Sequence, residues 1–145
     1  MEKHLKQLPS NCIKVVLFGP ESTGKATLAK ALSEYYDTVW VEEYAREYLE
    51  NKWHNSGEIC TREDIYPIAV GQMKLENKAA KQTTNYLFCD TTLLSTQVYA
   101  EAYFDGWCDE RVKEANKKSG SGKSIYISSP CGPFASRFIN NINKK

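Results

Sequence analysis

One heptapeptide constrains this chain more than anything else in it: Gly19-Pro20-Glu21-Ser22-Thr23-Gly24-Lys25. It fits G-x-x-x-x-G-K, directly behind a short apolar run at Cys12–Phe18 and directly before a segment with helical spacing. The run is rich in β-branched residues and does not alternate, which predicts a strand buried on both faces. Strand, loop and helix around these letters are the context in which the pattern carries meaning. The glycines let the backbone wrap a phosphate while successive N–H groups point inward, and the positive end of the following helix adds to the attraction. Lys25 supplies a point charge for the β and γ phosphates. The expected nucleotide contacts, with ATP as the cofactor, are Gly19, Glu21, Ser22, Thr23, Gly24, Lys25, Ala26 and Thr27.

The rest of the chain alternates in the same way. Thr27–Tyr36 is predicted as a helix with Leu28, Ala31, Leu32 and Tyr35 on one side, Thr38–Val41 as a strand and Glu42–Glu50 as a helix. Thr61-Arg62-Glu63-Asp64 reads as a helix start, and the long helix behind it runs to about Lys81. Asn85–Cys89 is a third strand ending at Asp90, Leu93–Tyr103 and Asp109–Lys117 are helices, and Ile125–Ser128 is a fourth strand. Short apolar strands alternating with helices indicate a three-layer α/β core with a parallel sheet. Ligands of such sheets bind at the carboxyl ends of the strands, where the candidate residues fall.

Composition narrows the function classes. A chain of 145 residues is one domain by length, and its net charge of +1 lacks the basic excess of a nucleic-acid-binding surface. No stretch approaches the ~20 apolar residues of a spanning helix, and Met1–Ser10 is polar, unlike a signal peptide. Five scattered cysteines with only His4 and His54 to join them form no zinc pattern. They suit a reducing compartment, so the expected location is the cytoplasm. Residues 113–145 carry seven Lys or Arg against one Glu, a net of +6, whereas residues 1–112 carry twelve against seventeen, a net of −5. The character changes near Lys117-Lys118-Ser119-Gly120-Ser121-Gly122. The expected organisation is an N-terminal extension (1–11), a core (12–118) and an atypical tail (119–145).

The phosphate loop departs from its pattern at one position. The residue after its lysine ordinarily carries a hydroxyl that binds Mg²⁺, and here it is Ala26. Thr27 has a hydroxyl but lies ~100° further around the helix. Phosphate binding is expected to survive and Mg²⁺ placement to weaken. A second GKS, Gly122-Lys123-Ser124, follows a helix and has Lys117 where a glycine is needed, so it is read as coincidence.

The phosphate loop, WVEEYAREYLE at Trp40–Glu50, and LFCDT at Leu87–Thr91 with LLSTQVYAEAYF after it together resemble the ribosylnicotinamide kinase domain of NadR-type proteins. The resemblance covers roughly Ile13–Lys118. It implies transfer of a phosphoryl group from ATP to the 5′-hydroxyl of nicotinamide riboside, giving nicotinamide mononucleotide for NAD synthesis, with Mg²⁺ as cofactor. Three departures accompany it. Ala26 stands where the family has Thr or Ser, and Thr92 where it usually has Asp or Asn. The residues after Lys118 do not resemble the family's further strand, arginine-bearing lid and last strand and helix. The core is therefore expected to be incomplete on its C-terminal side, and Arg137 receives no role.

Other residues carry two readings each. Asp90, at the end of the third strand, is placed to hold Mg²⁺ or to cap the next helix. Glu43 could accept the proton of the attacking hydroxyl, or simply decorate a helix N-terminus; the base is Glu43 or Asp90. Arg46 is a substrate contact by resemblance, or one half of an i, i+4 ion pair with Glu42. Gln72 lies within the apolar stripe of Ile65, Ile68, Ala69, Leu75 and Ala79, and bonds either the substrate or the backbone. Tyr44 offers an aromatic face to a pyridinium ring or packs in the core. The expected catalytic set is Lys25, Asp90 and Glu43, with Asp90 on the metal and Glu43, Tyr44, Arg46 and Gln72 on the nucleoside. The rival readings are a nucleotide-binding pseudo-kinase without turnover, and a module completed by another chain.

Overall fold

The computed structural model describes residues 3–18, 24–118 and 124–128. Four strands, β1 (Ile13–Phe18), β2 (Trp40–Val41), β3 (Tyr86–Cys89) and β4 (Ser124–Ser128), form one sheet in the order β2-β3-β1-β4. Every pairing is parallel, with Val16 opposite Cys89 and Tyr126, and Trp40 opposite Phe88. The helices are α1 (Lys25–Tyr35), α2 (Tyr44–Ser56), α3 (Ile65–Ala80), α4 (Leu93–Tyr103) and α5 (Glu110–Lys118). The chain is thus α/β with a parallel sheet, and parallel strands need crossovers of this kind to join them.

The elements fall into two compact units, one holding the sheet and α1, the other holding α2, the body of α3, α4 and α5. In the first, Val15 and Leu17 of β1 share a cluster with Phe88 of β3 and with Leu28, Ala29 and Leu32 of α1. Burying a side chain such as Leu17, which is fully enclosed, is worth about 1.5–3 kcal/mol. The buried face of α1 is Leu28, Ala29, Leu32 and Ser33; it keeps Leu28 and Leu32 of the expected stripe but is rotated around the helix, with Ala29 and Ser33 in place of Ala31 and Tyr35. Ala31 is half-buried, and Tyr35 is exposed with its ring edge-on to Tyr36 at 4.9 Å. Ser33 is accommodated because its hydroxyl donates to the Lys30 carbonyl at 2.7 Å. Strand β2 is shorter than expected: Thr38 reaches β3 through its side chain, Oγ1 donating to the Tyr86 carbonyl at 2.7 Å.

In the second unit Ile65, Ala69 and Met73 of α3 meet Leu93 and Ala100 of α4 and Val112 of α5. Pro67 stands in the first turn of α3, where a missing N–H removes no intrahelical bond. Thr61 and Asp64 form the capping box anticipated for this helix start. Helix α2 differs from the others in having no fully buried residue; its Tyr44, Ala45, Tyr48 and Leu49 are half-buried. Among the described residues no helix is long and apolar enough to cross a membrane.

Candidate functional site

In the sheet-bearing unit a strand precedes the glycine-bearing heptapeptide and a helix follows it. Strand β1 ends at Phe18, and α1 begins at Lys25 behind Gly24, whose φ of 81° and ψ of 19° are left-handed. A side chain at that φ would be strained, which is what the second glycine of the motif provides for. Its carbonyl accepts the Leu28 N–H at 2.9 Å, starting the helix. Lys25, Ala26 and Thr27 therefore occupy the first turn of α1, where N–H groups have no intrahelical acceptor and the helix dipole favours an anion. Gly19, Glu21, Ser22 and Thr23 lie outside the described residues.

Asp90 follows β3 directly. β1 and β3 are adjacent and parallel with Val16 opposite Cys89, so Asp90 stands at the same sheet edge from which β1 enters the loop. It is 3% exposed, and its N–H extends the ladder to the Val41 carbonyl at 3.0 Å. The helix-capping alternative is filled by another residue. Thr92 is the N-cap of α4, and its N–H donates to Ser95 Oγ at 3.5 Å in a capping box. Mg²⁺ fits this edge in part. Asp90 supplies a carboxylate and Ala26 no hydroxyl. No group of three or more His, Cys, Asp or Glu suited to a metal occurs among the described residues. That donor set suits an ion brought in on phosphate oxygens, as Mg²⁺ often is, rather than one caged by protein.

In the helical unit the structure brings Glu43, Tyr44, Arg46 and Gln72 together. Glu43 precedes α2 in extended conformation, and its carboxylate is 3.6 Å from Arg46, so the ion pair of Arg46 is formed at i, i+3 with Glu43. Gln72, 1% exposed, accepts the Tyr44 N–H at 2.9 Å through Oε1. This is the backbone alternative weighed for that residue. Tyr44 and Tyr48, with ring centroids 6.2 Å apart, also line a hollow of about 310 Å³ with Glu47, Asn51, Lys52 and Asn55.

Sequence reasoning missed the most heavily bonded carboxylate of the unit. Asp64, 6% exposed, accepts from Lys52 Nζ at 2.6 Å, from the Thr61 N–H at 2.7 Å, from the Tyr48 hydroxyl at 2.9 Å and from Thr61 Oγ1 at 3.1 Å. Burial pushes its carboxyl up, but the Lys52 ammonium and these hydrogen bonds together hold it below the usual carboxylate range. Burial and the bond to Asp64 push the Tyr48 hydroxyl up to about 12. The bond to Asp64 raises Lys52 against the opposing effect of burial. The signal available in the sequence was the Tyr48–Lys52 spacing of i, i+4 on α2 beside a capping box whose Asp had lone pairs to spare.

A family model for the AAA domain matches residues 14–128. Two curated proteins, the trifunctional NAD biosynthesis/regulator proteins NadR of Salmonella typhimurium strain LT2 and of Escherichia coli strain K12, are each 29% identical over 89 residues. That stretch is 61% of this chain and 22% of each relative, so the chain spans about a fifth of their length. The crystal structure of a NadR protein in complex with NR superposes with a TM-score of 0.66 at 24% identity, covering 92% of this chain and 39% of that one. A NadR structure in complex with NAD and AMP-PNP gives 0.57 at 25% identity, over 90% and 32%.

Proposed function

The chain belongs to the AAA domain family, and from that premise we propose that it binds ATP and transfers its γ-phosphoryl group to nicotinamide riboside, forming nicotinamide mononucleotide. The observation that carries this reading is the pairing of Lys25, at the head of α1 behind a left-handed Gly24, with the buried Asp90 at the same edge of the parallel sheet. The nicotinamide half of the reading comes from the motifs around Glu43 and Asp90 and from the NAD biosynthesis proteins similar to this chain. The nucleotide half is supported also by the NadR structure that holds NAD and AMP-PNP.

Lys25 and the amides of the loop and of α1's first turn, Ala26 and Thr27 included, hold the triphosphate. Asp90 holds Mg²⁺, which when bound neutralises charge on the phosphates. Glu43 or Asp90 takes the proton of the 5′-hydroxyl as its oxygen bonds to the γ-phosphorus and the bond to the β–γ bridging oxygen breaks. Arg46 and Tyr44 orient the nucleoside. Such catalysis is mainly positioning and electrostatics, so the missing hydroxyl at Ala26 lowers the rate without changing the chemistry.

Incubation of the purified chain with ATP, Mg²⁺ and nicotinamide riboside, with separation of the products by chromatography, tests the reading. Nicotinamide mononucleotide that appears only with the riboside supports it; its absence from folded protein overturns it. Ala26 favours a second reading, in which the loop binds nucleotide without turnover. Nucleotide binding with no product is the outcome that reading expects.

A further inference from the structure

Helix α2 opens without a local cap. Its N-cap residue, Glu43, has φ −75° and ψ 104°, and its side chain makes no capping hydrogen bond. The N–H groups of a helix's first turn need acceptors from elsewhere. For Tyr44 the acceptor comes from another helix: Gln72 of α3, through Oε1 at 2.9 Å. Gln72 is 1% exposed, so bulk water is not at hand to replace a lost bond there. The preceding residue, Gly71, is buried too, and a Cβ built on it would collide with the Tyr44 ring. Two successive residues of α3 thus receive one residue of α2, Gly71 its ring and Gln72 its amide.

We propose that Gly71 and Gln72 are positioning residues, a tertiary cap that fixes where α2 begins and so where Glu43 and Arg46 are presented. Gln72 acts through Tyr44 rather than on the nucleoside. The Glu43 carboxylate makes no capping bond to its own helix and pairs with Arg46. The consequence for catalysis rests on the kinase reading; the cap itself does not.

The experiment compares the full chain with Gln72→Met, which keeps the volume and removes the acceptor, and Gln72→Glu, which restores an oxygen. Amide hydrogen exchange at Tyr44 and steady-state kinetics are both followed. In the wild type the Tyr44 amide exchanges slowly for a first-turn position. In Gln72→Met its protection falls about tenfold, the change one lost buried hydrogen bond makes, and Gln72→Glu recovers it. With turnover present, Gln72→Met lowers kcat/KM for nicotinamide riboside about as much while KM for ATP stays constant. An unprotected Tyr44 amide in the wild type, or equal protection in wild type and Gln72→Met, overturns the proposal; so does an equal loss toward ATP and riboside. A wild type without turnover overturns the kinase reading alone, because the exchange measurement still decides the cap. Gly71→Ala adds an independent arm, since displacement of the Tyr44 ring raises Tyr44 exchange with the Gln72 acceptor still in place.

Discussion

Ala26 is the second residue of α1, and its methyl group sits where a metal-ligating hydroxyl would serve a triphosphate. The neighbouring Thr27 is exposed and faces about 100° away around the helix, so it does not substitute. Ala26→Thr is therefore expected to raise the rate at limiting Mg²⁺, with an apparent affinity gain of about tenfold, of the order lost when a group supporting a metal site is removed. Initial rates across a Mg²⁺ titration check this, and identical curves for the two proteins would refute it. The departure at Thr92 is of another kind. As N-cap of α4 with Ser95 as partner, threonine fills a capping role that Asp and Asn also fill well.

At the scale of elements, α2 has no fully buried residue, and polar contacts help to hold it. Asp64 fastens it to the head of α3 through Tyr48 and Lys52. Replacing Asp64 with Asn removes the carboxylate that Lys52 and Tyr48 share, leaves Lys52 with the more distant Glu58, at 3.9 Å, as its counter-charge, and should lower stability by about 2 kcal/mol. The pH dependence follows from the directions of the shifts. The Asp64 carboxyl is depressed in the folded state, so its contribution is present above the unfolded value of about 3.9 and disappears as pH falls through the lower folded value. The Tyr48 hydroxyl is raised, so its contribution is present below about 10 and is lost as pH rises toward 12. Urea unfolding at pH 7 and at pH 3 checks the first: the gap between wild type and Asp64→Asn should narrow in acid. A constant gap would show that the carboxylate's charge is not what stabilises it. Little of this was legible in the sequence, because Tyr48 and Lys52 lie 16 and 12 residues from Asp64 and meet it only when two helices fold together. The Thr61–Asp64 box was legible because it is local. The same difference explains α1, whose period was visible but whose buried face depended on where β1 and β3 lay beneath it.

For the molecule as a whole, strands and helices could be read in order from the sequence, and so could the placement of Lys25 at the head of a helix and of Asp90 at a strand end. The sheet order β2-β3-β1-β4 could not, since it is set by which strands meet in space and not by their succession. That order brings the end of β1 beside the end of β3, and the nucleotide reading depends on it. A ligand that binds only the folded chain stabilises it by about 2.7 kcal/mol at a hundred times its Kd, so saturating ATP is expected to raise the unfolding midpoint. Lys25→Ala removes the loop's fixed charge and should abolish most of that rise. Glu43→Gln should leave it intact, because Glu43 is assigned to the hydroxyl acceptor and not to the triphosphate. The comparison is made by thermal unfolding of each protein with and without ATP. If the shift survives Lys25→Ala, nucleotide is held elsewhere and the loop is only a turn; if it vanishes in Glu43→Gln as well, the assignment of separate tasks to the two residues is wrong.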